Sequence, residues 1–404
     1  MVSRRNYRMV SKSLNKSPDK LHICLNMVHD PTWLGGVLYI QNLIKAIAQL
    51  PTEETEHIQL SLALFKRNAR LAEPVKDLVS QVYAGSTTEY VYLKACKLLA
   101  EYAPFVPLEI LNPRSCDFVY PDLLGARSAY KWGAWVADLQ HCHLPHLFSQ
   151  KQLDARNAEL QRMANNAPVI VVSSEMAGAD FGDRYPQARD RTMVMHFASF
   201  ADPQWFEPDP QITQAKYQLP DRFFLVSNQF WKHKDHGVII DALAILKQRN
   251  LYPTIVCTGS LSDYRNPDYF NQLLVKVEQL NLKSQFIILG VIPRDDQVQL
   301  MRQCLAIIQP SLFEGWSSVI EDARSLGKPV IASDFPVHLE QNPPNSYFFE
   351  RSSPEELAEL IVQALSNLEA GVNHQLEALA RQDNQERVKA YGRRFLEIVH
   401  HVIC

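Results

Sequence analysis

Short apolar runs alternate with stretches of helical length along most of this chain, and this alternation limits the possible fold more than any other feature. Continuous apolar runs of this kind are typical of strands that are buried on both faces of a parallel sheet. The stretches between them supply the helices that cover such a sheet. The runs begin at Leu21, Ile58, Asp117, Trp132, Pro168 and Thr192, and again at Phe223, Thr254, Gln285, Leu305 and Pro329. The sequence therefore predicts an α/β fold with two parallel sheets.

The segment Ala201–Gln211 interrupts both series of runs with three prolines and three acids, and we interpret it as a linker. A chain of 404 residues exceeds what a single core usually serves, so two domains are expected. The predicted organisation is a basic flexible tail, an N-terminal Rossmann-like domain, the linker, a second Rossmann-like domain and a C-terminal helix that packs back on the first domain. The corresponding boundaries are 1–20, 21–200, 201–211, 212–384 and 385–404.

The composition excludes several classes of protein. A net charge of -3 argues against bulk nucleic-acid binding, and the seven cysteines lack the paired spacing of a disulfide framework. Reduced cysteines fit a cytoplasmic protein, and no apolar stretch approaches the roughly 18 residues that a membrane span needs. Residues 1–20 carry six lysines and arginines. We expect a flexible tail there, with weak electrostatic contact to the anionic inner face of a membrane as the alternative.

The stretch from Pro310 to Asp334, PSLFEGWSSVIEDARSLGKPVIASD, reads as loop, helix and strand after a buried strand. Ser318 and Glu321 have the spacing of a capping box, which would occupy Glu321. Glu314 and Asp322 are left free on either side of a helix start whose amide donors attract phosphate. Acids beside a phosphate are best explained as acceptors for the hydroxyls of a sugar. The stretch therefore indicates a nucleotide-sugar site.

This stretch, together with Gly290-Val291-Ile292-Pro293 and the Gly35-Gly36 turn, resembles the retaining GT-B glycosyltransferases of family four, the glycosyl transferases group 1. The resemblance implies two Rossmann-like domains that face a central cleft. It also implies that the second domain binds a nucleotide diphosphate sugar, a GDP- or UDP-sugar. The first domain would bind the acceptor, a glycan, a lipid-linked sugar or a small molecule, as in polysaccharide biosynthesis. Transfer would retain the anomeric configuration without an essential metal or other cofactor.

The resemblance also assigns roles to residues of the second domain. Glu314 matches the family acid that contacts the donor sugar, and Asp322 matches the acid that holds the ribose, with Glu321 as the alternative. Lys234 matches the lysine that binds the diphosphate, whereas the matching arginine position holds Gln229, so that Lys232 or His233 would supply the missing charge. The other predicted donor-binding residues are Ile292, near the base, and Gly315, Trp316, Ser317, Ser318 and Val319 in the loop and helix start.

Two features of the first domain complete the predicted site. Gly35 and Gly36 follow the first strand and permit close approach of backbone to a ligand, although an ordinary strand-to-helix turn would use them as well. His141 lies in the run Asp138 to His146 and matches a family histidine that contacts the donor sugar near the reaction centre. A metal site in this run is disfavoured, because adjacent ligands of one extended segment would point to opposite sides. A histidine that is only hydrogen-bonded and buried is the other alternative.

The resemblance thus implies a hexosyltransferase with His141, Glu314 and Lys234 as catalytic residues. In this reaction the acceptor hydroxyl attacks the anomeric carbon from the face that the nucleoside diphosphate leaves. Two other functions are compatible with the sequence. One is a nucleotide-sugar epimerase of the same fold, which would need no acceptor. The other is a non-catalytic subunit that binds sugar nucleotides, for which the replacements Gln229 and Asp322 are the motive.

Overall fold

The computed structural model describes residues 20–27, 33–85, 116–122 and 131–404 of the chain. Residues 1–19, which make up nearly all of the predicted basic tail, lie outside this described part. No helix within the described residues combines the length and the apolar character that crossing a bilayer requires.

The first domain is built on a parallel sheet. In the described residues it has seven strands in the order β3, β2, β1, β4, β5, β6, β7. These strands are β1 (Leu21–Asn26), β2 (Ile58–Phe65), β3 (Gln81–Gly85), β4 (Phe118–Tyr120), β5 (Lys131–Val136), β6 (Val169–Val172) and β7 (Thr192–Val194). All neighbouring pairs run parallel, so the carboxyl ends of the strands meet at one edge of the sheet. Loops at that edge are where open parallel sheets bind ligands.

Helices connect these strands and cover the sheet. They are α1 (Leu34–Ala48), α2 (Thr52–Thr55), α3 (Gln140–His143), α4 (Gln150–Asn166) and α5 (Glu175–Arg184). Ser149 and Gln152 form a capping box at the start of α4. Such a box satisfies two backbone N–H groups that the first turn leaves without partners, and so it fixes where the helix begins.

The second domain has the same architecture. Its sheet has six parallel strands in the described residues, in the order β10, β9, β8, β11, β12, β13. They are β8 (Phe224–Ser227), β9 (Ile255–Thr258), β10 (Phe286–Gly290), β11 (Ile307–Gln309), β12 (Val330–Ser333) and β13 (Ser346–Phe349). The helices are α6 (Pro210–Lys216), α7 (His236–Gln248), α8 (Tyr269–Gln279), α9 (Arg294–Gln303), α10 (Ser318–Ser325), α11 (Pro336–Gln341), α12 (Pro354–Asn367) and α13 (His374–Ile403).

The last helix, α13, contacts the first domain. A Cβ atom added to Gly392 would lie 2.9 Å from the carbonyl oxygen of Ala46 in α1, so the two helix backbones are in close contact. Tyr391 donates a hydrogen bond of 3.3 Å to the carbonyl oxygen of Tyr39, also in α1. The second domain is therefore joined to the first through its C-terminal helix.

The predicted fold class, two Rossmann-like domains of the GT-B type, is confirmed. Each apolar run named in the sequence contains a strand, and among the strands of the described residues β3 and β13 were missed. Both are edge strands, and several of their residues are partly exposed. Neither strand carries a continuous apolar run in the sequence, whereas the other two edge strands, β7 and β10, do carry one and were predicted.

Candidate active site

A cavity of about 840 Å³ lies between the two domains, at the carboxyl ends of both sheets. The first domain lines it with residues that follow β4 and β5 and with the start of α1. The second domain lines it with the loops that follow β8, β9 and β11. The predicted site residues in its wall are Gly35, His141, Gln229, Lys234, Glu314, Gly315, Trp316 and Ser318. The predicted residues Gly36, Lys232, Ile292, Ser317, Val319 and Asp322 do not line it.

Glu314 and Lys234 form an ion pair in the wall of this cavity. The Lys234 Nζ atom lies 2.5 Å from the Glu314 Oε1 atom, and the two side chains are 15% and 10% exposed. Gln309, the last residue of β11, donates a hydrogen bond of 2.8 Å to the same carboxylate oxygen. Two loops that are distant in the sequence thus place one carboxylate and one ammonium group side by side.

The loop after β8 contributes Gln229 to the cavity, but it contributes no second cation. Lys232 is exposed and uses its backbone N–H to bond the Asp263 Oδ2 atom at 3.0 Å. His233 is buried, and burial, with Lys234 and Arg265 nearby, holds its pKa well below the usual range. Its imidazole is therefore neutral at pH 7. The expectation that Lys232 or His233 supplies the missing positive charge finds no support in this arrangement.

Helix α10 begins one residue earlier than the sequence predicted. Ser317 is the cap, because its Oγ atom accepts the Ile320 N–H at 3.4 Å, and Ser318 is the first helical residue. The predicted capping box between Ser318 and Glu321 is therefore wrong. The backbone N–H of Ser317 donates to the Gln341 Oε1 atom at 3.0 Å, so this amide is already occupied.

Glu321 is buried in a contact between three helices. Its Oε2 atom lies 2.7 Å from the Arg387 Nη2 atom of α13, and its Oε1 atom accepts a hydrogen bond of 3.0 Å from Gln341 of α11. A buried charge requires compensating partners of this kind. Glu321 therefore joins α10 to α11 and α13.

Asp322, the next residue, forms a separate ion pair on another side of α10. Its Oδ1 atom lies 2.7 Å from the Arg294 Nη2 atom, at the start of α9. The Arg294 guanidinium also stacks over the Trp205 ring at 4.9 Å. Arg294 follows the loop after β10, which includes Ile292. Asp322 is thus adjacent to the segment for which the sequence predicts contacts to the base.

The loop after β11 also makes the contact between the two domains. A Cβ atom on Gly315 would lie 1.9 Å from the Ala137 carbonyl oxygen, so only glycine fits there in this arrangement. The Trp316 Nε1 atom donates a hydrogen bond of 3.0 Å to the Phe197 carbonyl oxygen. The Trp316 ring stacks on the His196 ring at 4.5 Å. The loop that carries Glu314 is therefore held against the first domain.

His141 is buried at the first turn of α3. Its Nε2 atom lies 3.1 Å from the Asn157 Oδ1 atom, and since that oxygen only accepts, Nε2 carries the proton. Its Nδ1 atom is buried without a partner among the described residues. Burial, together with Arg156, lowers the pKa of His141. The ring is thus a neutral imidazole whose acceptor nitrogen, Nδ1, is unpaired in the described residues but buried.

The segment around His141 is a helical turn rather than the extended segment that the sequence suggested. His143 bonds Asp180 at 2.5 Å, whereas His141 bonds Asn157. Within the described residues no group of three or more histidine, cysteine or acidic side chains could hold a metal ion.

Two tryptophan rings form part of the first-domain wall of the cavity. Trp33 and Trp135 are stacked with ring centroids 5.3 Å apart, and both line the cavity. A Cβ atom on Gly36 would come within 2.7 Å of the Trp33 ring. The absence of a side chain at Gly36 thus makes room for this tryptophan, while Gly35 remains in the cavity wall.

Arg265, in the loop after β9, also lines the cavity, and the sequence analysis did not identify it. Its side chain is 3% exposed and contacts both domains. A survey of the charged residues that follow each predicted strand would have included it. No spacing or motif distinguishes it from its neighbours.

Comparisons with known proteins agree with the fold described above. The family model described as Glycosyl transferases group 1 matches residues 210–387. HepE of Anabaena, in complex with UDP and glucose, has a similar structure, with a TM-score of 0.66, 17% identity, and coverage of 94% of this chain and 100% of that chain. The sucrose-phosphate synthase of Thermosynechococcus elongatus gives a TM-score of 0.64 at 16% identity, and covers 95% of this chain and 99% of its own.

WaaG, a glycosyltransferase involved in lipopolysaccharide biosynthesis, gives a TM-score of 0.54 at 15% identity, with coverage of 92% of this chain and 95% of that chain. A comparison with curated protein sequences finds no match. At these identities the solved structures establish the fold, whereas the family model identifies the second domain. Residues 210–387 therefore form a glycosyl transferases group 1 domain, and the chain is a glycosyltransferase with the GT-B fold.

Proposed function

We propose that this enzyme transfers a sugar from a nucleotide diphosphate sugar to a hydroxyl group with retention of the anomeric configuration. The observation that carries the proposal is the meeting of His141, Glu314 and Lys234 from two domains in the wall of one cavity. They provide an acceptor nitrogen, a carboxylate and an ammonium group. These are the groups that a sugar with several hydroxyls and an anionic leaving group would need.

The donor in this proposal is a UDP- or GDP-sugar bound chiefly by the second domain. HepE, which shares the fold, has been solved with UDP and with UDP-glucose. In this chain the carboxylate of Glu314 would accept hydrogen bonds from the hydroxyls of the transferred sugar. Asp322 would accept them from the ribose, since its second carboxylate oxygen can bond a hydroxyl while Oδ1 bonds Arg294.

The reaction breaks the bond between the anomeric carbon and the diphosphate oxygen. The acceptor oxygen forms its bond to the same carbon from the same face, and its proton passes to the leaving phosphate oxygen. Lys234 would stabilise the negative charge that grows on the diphosphate, and this charge stabilisation is a large term in enzymatic catalysis. His141 would accept a hydrogen bond at Nδ1 from a donor hydroxyl that displaces the groups now covering this buried atom, and so hold the sugar in place.

No metal or other cofactor is part of this proposal, because the Lys234 ammonium group would stabilise the leaving diphosphate. The acceptor would lie against the first domain, where Trp33 and Trp135 offer an aromatic surface. A glycan, a lipid-linked sugar and a small molecule all remain in the proposed acceptor class. A cytoplasmic location, with weak membrane contact through residues 1–20, stays a prediction from the sequence.

The test is incubation of the purified protein with radiolabelled UDP- and GDP-hexoses, with and without a panel of hydroxyl acceptors. We expect release of nucleoside diphosphate that increases with the correct acceptor, and a product whose anomeric proton has the donor configuration by NMR. An epimerised sugar without acceptor would instead identify an epimerase. A product of opposite anomeric configuration would disprove retention. Tight donor binding without any turnover across the panel would contradict transfer.

A further inference from the structure

Two of the cations in the cavity wall are already paired with carboxylates, although a nucleotide diphosphate sugar needs positive charge there. The diphosphate is anionic, and its departure increases the charge on the leaving oxygen. Lys234 is already paired with Glu314 at 2.5 Å, and Arg156, in the first-domain wall, is paired with Asp138 at 3.0 Å. Neither cation has its full charge available for an incoming phosphate group.

Arg265 is the third cation in the described wall, and its ion pair is the loosest of the three. The Arg265 Nε atom lies 3.5 Å from the Asp263 Oδ1 atom, which is too long for a good hydrogen bond. Within the described residues that Nε atom is buried without a hydrogen-bond partner. Asp263 accepts shorter hydrogen bonds, of 3.0 Å each, from the backbone N–H groups of Lys232 and of Arg265.

The Arg265 guanidinium is held in a fixed position. Its Nη1 atom donates to the Gln140 Oε1 atom at 2.7 Å, and its Nη2 atom donates to the His233 Nδ1 atom at 3.2 Å. The group also lies over the Phe148 and Trp231 rings, at 4.9 and 5.3 Å. A guanidinium has five N–H donors, so these two contacts leave donors for a ligand that reaches this 3% exposed side chain from the cavity that it lines. An oriented planar cation of this kind is well suited to bidentate binding of phosphate.

The position of Arg265 agrees with a role on the same anion as Lys234. Arg265 bonds His233, the residue that precedes Lys234, and both cations line the same cavity. Gln229, which lines the same cavity, is neutral. We propose, on the basis of the donor site proposed above, that Arg265 binds the diphosphate of the donor and stabilises it as a leaving group. Since Gln140 belongs to the first domain, the contact also ties diphosphate binding to the meeting of the domains.

The test compares nucleoside diphosphates with the matching monophosphates by isothermal titration calorimetry, using UDP and UMP and then GDP and GMP. In Arg265→Gln we expect the affinity for the diphosphate to fall about 10- to 100-fold, the effect of one charge-assisted hydrogen bond. The affinity for the monophosphate should change by less than about 2-fold, because UMP and GMP lack the outer phosphate, which is bonded to the sugar in the donor and carries the leaving oxygen that Arg265 is proposed to stabilise. Arg265→Lys keeps the charge and should lose less diphosphate affinity than Arg265→Gln, and it is the variant of choice if the glutamine variant does not fold.

Gln140→Ala is the matched control, because it removes the cross-domain hydrogen bond and keeps the guanidinium. If Arg265 were only a brace between the domains, Gln140→Ala would reproduce the effect of Arg265→Gln, and that result would overturn the inference. Equal losses for diphosphate and monophosphate in Arg265→Gln would also overturn it. Wild-type protein that binds neither UDP nor GDP would refute the proposed donor site and this inference together. If the wild type binds UDP or GDP, and Arg265→Gln has the same ratio of diphosphate to monophosphate affinity as the wild type, only the inference is refuted.

Discussion

The adjacent acids Glu321 and Asp322 allow a sharp test of which carboxylate holds the ribose. If Glu321 completed the capping box that its spacing from Ser318 predicts, Glu321→Gln would have little effect, because glutamine also completes such a box. The structure changes this expectation, since Glu321 takes no part in a cap and is 1% exposed beside Arg387. Its replacement by glutamine removes a charge from a buried ion pair and leaves the guanidinium without its anion.

The cost of Glu321→Gln follows from the exposure of the two partners. Removing one member of a fully buried ion pair costs about 3–5 kcal/mol. Arg387 is 28% exposed and can recover some hydration, so we expect a loss near the lower end, about 3 kcal/mol. For a domain of this size each kcal/mol lowers the unfolding midpoint by about 2–4 °C, which gives a decrease of about 6–12 °C.

Asp322→Asn is the matched variant. Asp322 is 4% exposed and its partner Arg294 is 31% exposed, so the two ion pairs are nearly equal in burial and in length. We therefore expect a similar loss of thermal stability from both variants. Only Asp322→Asn should also weaken binding of UDP or GDP, by about 10-fold or more, because a hydrogen bond to a charged group contributes about 1.5–3 kcal/mol.

The assay combines differential scanning fluorimetry with calorimetric titration of UDP or GDP and of the corresponding 2′,3′-dideoxynucleotides. Loss of the ribose hydroxyls should weaken binding to the wild type and to Glu321→Gln, but should make little further difference to Asp322→Asn. The reasoning fails if Glu321→Gln abolishes the preference for ribose hydroxyls while Asp322→Asn keeps it. In that case Glu321 is the ribose acid and its pair with Arg387 opens when nucleotide binds.

Three further predictions concern the ion pair between Lys234 and Glu314 and the loop that carries Glu314. Lys234→Ala should lower turnover about 100-fold or more, whereas the unfolding midpoint should fall by much less than in the ion-pair variants above, because Glu314 keeps a second hydrogen bond. Unchanged turnover would remove Lys234 from the site. Activity should survive dialysis against EDTA, because the carboxylate of Glu314 is already paired with Lys234. Complete loss that manganese restores would refute a mechanism without metal. Gly315→Ala places a Cβ atom 1.9 Å from the Ala137 oxygen and should push the domains apart, with a loss of turnover of about 100-fold. The control is Gly237→Ala, whose Cβ atom would meet its nearest neighbour at an ordinary 3.4 Å and should leave turnover near the wild-type value.

Much of the fold could be predicted because burial on both faces forces inner parallel strands to be apolar, as in β6, where every residue is buried. The same physical reason explains the limits of the prediction. The edge strands β3 and β13 carry partly exposed residues and left no continuous run. The start of α10 was displaced by one residue because Ser317 and Ser318 are both good caps, and the choice depends on Gln341, which lies in another helix.

The candidate site was predictable to the extent that its residues lie in one short segment or directly after a strand. Glu314, Lys234 and His141 satisfy this condition, and the structure brings them to one cavity, although their roles remain predictions. The ion pair between Glu321 and Arg387 could not be predicted, because its members are far apart in the sequence. Local spacing therefore assigned Glu321 to a cap that the tertiary structure does not use.

Residues that join the two domains also line the cavity. Gly315 lies against Ala137, Trp316 bonds Phe197, and Arg265 bonds a glutamine of the first domain, and all three second-domain residues line the cavity. Any separation of the domains must therefore displace groups that would surround the reacting atoms. A displacement of about 1 Å is enough to lower a rate about 100-fold when the reaction depends on positioning. In this enzyme the meeting of the domains and the assembly of the cavity walls are consequently the same physical event.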